Sequence, residues 1–394
     1  MRPLDGVRVI EAANYVSGPF AGLLLAQLGA EVVKLEQPGV GDAFRKWRNG
    51  ASSPTFGALN YGKQSVAVDL KSAAGQEVVR ELLRDADVLV ENFRPGVLER
   101  YGLGPDAVAA LAPRLVYCSI TGYGPDGPLA GEPGYDTVGQ ARSGLLSLLT
   151  DLDAPQPMGF SLSDHLTGVF AGLGIVAALR SREVTGRGTW VRTSLLEATV
   201  GLMAESFGRY LADGDVPRRG HRARLAQVFT VVAADGKAVA VHLSSPEKFW
   251  QGLASALERP DLLTDERFRD RPGRIEHYDA LRAVISAVAG GLTRAELLAR
   301  LAAHGVPCAA VQDLEEVAGD EQVRHLGLIT ETSGDRGSPV RHPRAPVTGT
   351  GWLDGPPLGD PPGLGDDTAA VLAAAGLTAE RLASLTAAGV IAVR

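Results

Sequence analysis

Five short apolar runs in the first third of the chain restrict the fold more than any other feature. They are 7–12 (VRVIEA), 31–36 (EVVKLE), 65–69 (SVAVD), 88–91 (VLVE) and 115–120 (LVYCSI). Each has the length and β-branched content of a strand and is flanked by Gly, Asn or Asp. Between them lie helix-like stretches, 20–28 ending at Gly29 and 72–85 opening on a Ser cap. Strands that are apolar on both sides and alternate with helices predict a parallel α/β sheet covered on both faces. The first pair forms a βαβ unit. Glu36 ends its second strand, as in dinucleotide sites, but the loop NYVSGPFAG lacks the G-x-G-x-x-G that lets a pyrophosphate approach the backbone, so no NAD site is expected.

The rest divides by punctuation. Residues 39–53 are polar and Gly-containing, with Asp42, Arg45, Lys46 and Arg48, and read as a surface loop. A strand is expected at 189–194 and one helix at 195–211. The stretch 213–226 (DGDVPRRGHRAR and two further residues) has no periodicity and reads as a linker. Strands at 228–232 and 238–242 flank Asp235-Gly236, a strong hairpin signal. Helices at 247–257, 276–289 and 294–304 and a strand at 306–311 complete a small α+β domain over 227–330. A Pro- and Gly-rich second linker covers 331–362, and 363–394 form two Ala-rich helices and a short strand. The expected fold is a Rossmann-like parallel-sheet large domain, beginning with 1–212, and a smaller α+β domain joined by two long linkers.

At 394 residues and 45% hydrophobic content the chain has ample core for two or three domains. A net charge of −7, spread along the sequence, excludes a basic nucleic-acid-binding domain. Cys118 and Cys308 fit no metal or redox spacing, and the seven histidines form no H-E-x-x-H pair, so no metal site is expected. No signal peptide and no charge-free run long enough for a membrane span are read, which predicts a cytoplasmic protein with no membrane partner.

The stretch 158–182, MGFSLSDHLTGVFAGLGIVAALRSR, reaches Asp164 and continues with helical spacing through Val169, Leu173, Val176 and Leu179. Gly168, Ala171, Gly172 and Gly174 give the helix a small-residue stripe. Each Gly costs an isolated helix about 1 kcal/mol relative to Ala, so a closely approaching backbone is expected there. Asp164 is expected at the N-cap, where the orphan amides of the first turn favour a carboxylate. The residues alone allow two readings, a helix cap and a carboxylate nucleophile kept ionised by the helix terminus.

Several ordered motifs join that stretch: PLDGVRVIEAA, GPFAGLLLAQLGAEVVKLEQP, ENFRPGVLERYGLG, GYGPDGPLAGEPGYDTVGQARSGL, TGRGTWVRTSLLEA and, at the end, GDDTAAVLAAAGLTAERLASLTAAGVI. Together they span nearly the whole chain, which resembles the class III CoA-transferase family, a family that also includes the 2-methylacyl-CoA racemases. The resemblance implies that Asp164 is the nucleophile and that coenzyme A and acyl-CoA enter as substrates, with no tightly bound cofactor. It further implies a carboxylic acid acceptor, a tail that packs on the large domain, and a homodimer of interlocked chains. The positions it implies for CoA are Val16 and Ser17 on the first loop, Gln37 after the second strand, Val68 and Lys71 at the third, Asn92, Phe93 and Arg94 at the fourth, and Arg100 beyond. Lys71 and Arg100 have the charge for phosphates, and Phe93 the face for an adenine.

Tyr135 selects the branch. Racemases resembling this chain carry His there, paired with the Asp for proton removal and return. A phenol with an ordinary pKa near 10 is a poor base at neutral pH. Tyr135 and Gln140 instead suit hydrogen bonds to acyl or carboxylate oxygens, so transfer is expected. Racemisation and CoA binding without turnover are the alternatives. Where family transferases carry a glycine-rich loop, this chain has RRGHRAR with only Gly220. It also has Asn14, Val16 and Gln37 where some members have His, Gln and Arg, so its acyl specificity is expected to differ.

Overall fold

The computed structural model describes residues 1–47, 53–337, 339–352 and 357–393; Arg48, part of the expected polar loop, lies outside them. In chain order the first elements are β1 (Arg8–Ala12), α1 (Ser17–Gln27), β2 (Glu31–Glu36), β3 (Gln64–Val68), α2 (Ala73–Arg84), β4 (Val88–Glu91), α3 (Pro105–Leu111) and β5 (Val116–Thr121). Then come α4 (Asp136–Ser143), α5 (Leu162–Thr185), β6 (Trp190–Ser194) and α6 (Leu195–Leu202). After these follow β7 (Val228–Val232), β8 (Ala238–His242), α7 (Glu247–Ala256), α8 (Tyr278–Ala289), α9 (Arg294–Ala303) and β9 (Cys308–Ala310). The chain ends with β10 (Ile329–Glu331), β11 (Arg341–Pro343), α10 (Thr368–Ala374), α11 (Ala379–Ala387) and β12 (Ile391–Ala392).

Two compact units result. The first comprises Met1–Leu146, Gln156–Glu205 and Leu326–Arg394, and the second Ser147–Pro155 and Ser206–His325.

In the first unit the strands lie in the order β12-β3-β2-β1-β4-β5-β6. All neighbours are parallel except β12, which pairs antiparallel with β3 through Ile391 and Val68. Successive strand residues serve opposite faces. Ile10, Val33, Val66 and Leu89 join a core under α2 and the C-terminal helices, with Val79, Leu82 and Leu372. Val9, Val32, Val88 and Val116 join another under α1 and α5, with Leu25, Ala171 and Ile175. Ser72 caps α2 as expected, accepting from the Gly75 amide at 3.0 Å. Helix α1 begins three residues before the expected start, because Pro19 is tolerated in a first turn where its missing N–H would have no partner.

Helix α5 starts at Leu162 with Ser161 in the N-cap position, so Asp164 stands inside the first turn rather than at the cap. The expected close approach to its stripe is present. A Cβ on Gly168 would lie 2.8 Å from the Ser17 carbonyl oxygen, and one on Gly174 2.7 Å from Val191 Cγ1. Contrary to expectation, α5 is long and apolar enough to cross a bilayer, alone among the described residues. Its Gly168, Ala171, Gly172 and Ile175 are nevertheless buried in the unit.

In the second unit β7 and β8 form the expected hairpin, with Gly236 at φ +77° in its turn, and β9 pairs with β8. Phe229 and Val241 from this sheet pack on Trp250, Leu253, Leu281 and Leu301 of the helices. The expected helix over 195–211 is two, Leu195–Leu202 and Ala204–Asp213. The stretch read as a linker contains a short helix, His221–Leu225.

Candidate active site

The order of the strands fixes where a site can form. The chain moves outward from β1 to β3 and then returns to place β4 on the other side of β1. Loops leaving β1 and β4 therefore diverge and open a crevice at their carboxyl ends, the position where open α/β sheets hold ligands. Asn14 and Asn92 cross it: the Asn14 amide donates to Asn92 Oδ1 at 3.0 Å, and Asn92 Nδ2 donates to the Asn14 carbonyl at 2.7 Å. A cavity of about 470 Å³ lies there, lined by Asn14–Ser17 after β1, Asn92–Pro95 after β4 and Ile120–Gly122 at the end of β5.

A further wall comes from residues 130–137, which lead into the first turn of α4, and from α5. Gly122 and Gly134 touch backbone to backbone: a Cβ on Gly134 would fall 2.5 Å from the Gly122 Cα. That approach sets Tyr135 and Asp136 over the end of β5, and both line the cavity with Ser161 and Asp164. Asp136 accepts the Asp164 amide at 3.1 Å through Oδ1 and the Gln140 Nε2 donor at 2.6 Å through Oδ2. Burial, and then the Asp136 charge, push Asp164 up to about 7. Although Asp164 lies in the first turn of α5, burial and the Asp136 charge together keep its carboxyl above the ordinary acidic range.

The structure brings Val16, Ser17, Asn92, Phe93, Arg94, Tyr135 and Asp164 to one cavity. Gln140 is fully buried behind it, holding Asp136. Gln37, Val68, Lys71 and Arg100 are not among the residues that line it. Gln37 sits in the turn after β2, its carbonyl taking the Val40 and Gly41 amides. Val68 is a core residue of β3, and Lys71 and Arg100 are exposed. In the second unit, Arg219 pairs with Asp151 and Arg224 with Asp279.

Sequence reasoning missed Tyr15, Phe44, Trp47 and Asp136 in the cavity. Asp136 stood in the PGYD motif beside Tyr135, and a second carboxyl in the same motif was the available signal. Tyr15 carried none, since its left-handed backbone, φ +66°, appears only in the fold. Its ring meets Phe44 and Tyr135 edge-on at 5.7 and 6.1 Å. His165 turns from the cavity: Nδ1 contacts the Ser161 carbonyl at 2.7 Å, and the ring packs on Phe20.

The family model described as CoA-transferase family III matches residues 4–368. The chain belongs to that family. It is 34% identical to the acetyl-CoA:oxalate CoA-transferase of Acetobacter aceti, over 89% of this chain and 90% of the relative. It is 33% identical to the succinate–glutarate CoA-transferase of Agrobacterium fabrum, over 88% and 89%. The fold superposes on a CAIB/BAIF family protein from Brucella suis with a TM-score of 0.83 at 33% identity, covering 95% of this chain and 99% of that one. The protein is thus a CoA-transferase acting on CoA thioesters.

Proposed function

We propose that the protein is an acyl-CoA:carboxylate CoA-transferase with Asp164 as its nucleophile. The observation that carries this reading is the Asp164 carboxyl in the cavity at the carboxyl ends of β1, β4 and β5. Asp164 attacks the donor thioester carbon, the C–S bond breaks, and CoA thiolate leaves an acyl-aspartyl anhydride. The thiolate then attacks the Asp164 carbonyl and releases the donor acid, leaving an aspartyl-CoA thioester. The acceptor carboxylate attacks that thioester to form a second anhydride and free the thiolate. Attack of the thiolate on the acceptor's acyl carbon yields the new acyl-CoA and restores Asp164. Each step is a moderate acyl transfer in place of one difficult exchange.

The local electrostatics suit this cycle. A carboxyl near 7 is about half ionised at neutral pH, so nucleophile is present. As a raised-pKa carboxylate it is also more basic than an ordinary one. Each tetrahedral oxyanion needs donors. The Tyr15 and Tyr135 hydroxyls on the cavity wall are candidates for that role.

The names of the relatives, among them a succinyl-CoA:glutarate CoA-transferase of Mus musculus, suggest acetyl-CoA or succinyl-CoA as donor and a small carboxylic acid, such as a dicarboxylate, as acceptor. Exposed Val169, Leu173 and Val176 on α5 favour a homodimer in which a second copy covers that face. The test is to incubate the protein with succinyl-CoA or acetyl-CoA, add hydroxylamine, and map the modification by mass spectrometry. Hydroxamate at Asp164 is expected. CoA exchange with modification at another residue, or undiminished exchange by Asp164→Ala, refutes the assignment.

A further inference from the structure

Four ionisable side chains are fully buried beside the cavity and none of them lines it: Glu11, Lys34, Lys63 and Asp42. We propose that this cluster is a positioning device that holds the cavity loop at 13–17 in its strained conformation and so sets the affinity for CoA. The inference rests on the cavity being the acyl-CoA site.

The connections run to both ends of the loop. Lys34 Nζ donates to Glu11 Oε1 at 2.9 Å and to the Ala13 carbonyl at 2.6 Å. Lys63 Nζ donates to Glu11 Oε2 at 2.7 Å, to Asn60 Oδ1 at 2.9 Å and to the Pro19 carbonyl at 2.7 Å. One carboxylate thus anchors two ammonium groups, and each ammonium grips a carbonyl on one side of the cavity-lining residues. Two cations and two anions balance. Removing one partner of such a set leaves a buried charge uncompensated, which the fold tolerates poorly. The space is also reserved: a Cβ on Gly22 of α1 would fall 2.0 Å from Glu11 Oε2.

Asp42 ties the cluster to the middle of the loop. Its Oδ2 lies 3.0 Å from Lys34 Nζ as an ion pair and has no hydrogen-bond partner. Its Oδ1 accepts the Phe44 amide at 2.9 Å and the Tyr15 amide at 3.4 Å. Glu36 holds Asp42 in turn, accepting its amide at 2.9 Å while gripping Arg45 through both carboxylate oxygens. The residue so held, Tyr15, has φ +66°, a conformation that a bulky side chain avoids and that persists where surroundings over-determine it. Both residues whose amides Asp42 accepts present aromatic rings to the cavity.

The experiment is a double-substitution cycle on the full-length protein, read by calorimetric titration with coenzyme A and by KM and kcat for succinyl-CoA. Asp42→Ala is expected to raise the Kd for CoA about tenfold in the native background, and to lower kcat as well, because it releases the residue whose hydroxyl is an oxyanion-donor candidate. Glycine adopts the left-handed backbone without strain, so in a Tyr15→Gly background the same Asp42→Ala change is expected to cost less than threefold. Asp42→Asn offers one oxygen for two tasks and should fall between, and it carries the cycle if Asp42→Ala does not fold. An unchanged Kd in a folded Asp42 variant, or an equal loss in both Tyr15 backgrounds, overturns the positioning role and leaves the cluster a purely structural one. Failure of the native protein to bind coenzyme A would instead refute the reading of the cavity.

Discussion

Asp164 carries two consequences at the residue scale. Its folded pKa of about 7 lies above the ordinary value of 3.8, so the folded state binds the proton more tightly than the unfolded chain. The stability contributed by the protonated carboxyl is present below about pH 4. It is lost as pH rises towards 7, with a constant penalty above that. Asp164→Asn should therefore raise the melting temperature relative to the native protein more at pH 8 than at pH 4.5. A pH-independent difference would show that the carboxyl is not held high. Under the proposed mechanism the sign reverses in activity, since the ionised form of Asp164 is the one that attacks. The free-enzyme profile of kcat/KM should rise through about pH 7, and Asp136→Asn, by removing the neighbouring charge, should move that limb to lower pH. An unmoved limb would remove Asp136 from the electrostatics of the site. Asp164 itself was legible in its motif. Its protonation was not, because the desolvation and the Asp136 carboxylate come from chain segments that meet only in the fold.

At the scale of elements, the apolar runs gave strands to within a residue or so, since burial on both faces leaves little freedom in composition. In helix α5 spacing alone does not tell which face is buried. Val169, Leu173 and Val176 have the periodicity of a core face, yet Leu173 is 62% exposed while Gly168, Ala171 and Gly172 are buried. Hydrophobicity scales favour the larger side chains, but the neighbouring helix α1 comes so close that only small ones fit between. Gly168→Val should accordingly lower stability by about 1–3 kcal/mol, the usual range for overpacking. The added atoms meet the Ser17 carbonyl and the Phe20 ring, so the KM for acyl-CoA should rise too. Thermal melts and steady-state kinetics on the same preparation check both, and a native melting temperature would contradict the close helix contact.

For the whole molecule, the exposed apolar strip on α5 leads to a prediction about assembly. Light scattering at low micromolar concentration should give twice the chain mass, and Leu173→Glu should shift the population towards monomer. A monomeric native protein would leave that strip without the proposed cover. The hairpin of the second unit was legible from Asp235-Gly236. The membership of Ser147–Pro155 in that unit was not, because it depends on pairings such as Arg219 with Asp151 that are remote in sequence. The same remoteness governs the sheet of the first unit. β3 is paired on one side by β2, but on the other by β12, and all of the second unit is encoded between β3 and β12. During synthesis β3 must therefore emerge and wait, its outer hydrogen-bonding edge open, while an entire independent core is translated. An unpaired strand edge is a template for wrong partners, and nascent chains in that state depend on slow elongation or on chaperones to avoid them. The few residues of β12 make little of the fold's mass, yet they end the interval in which this chain is most exposed to misassembly.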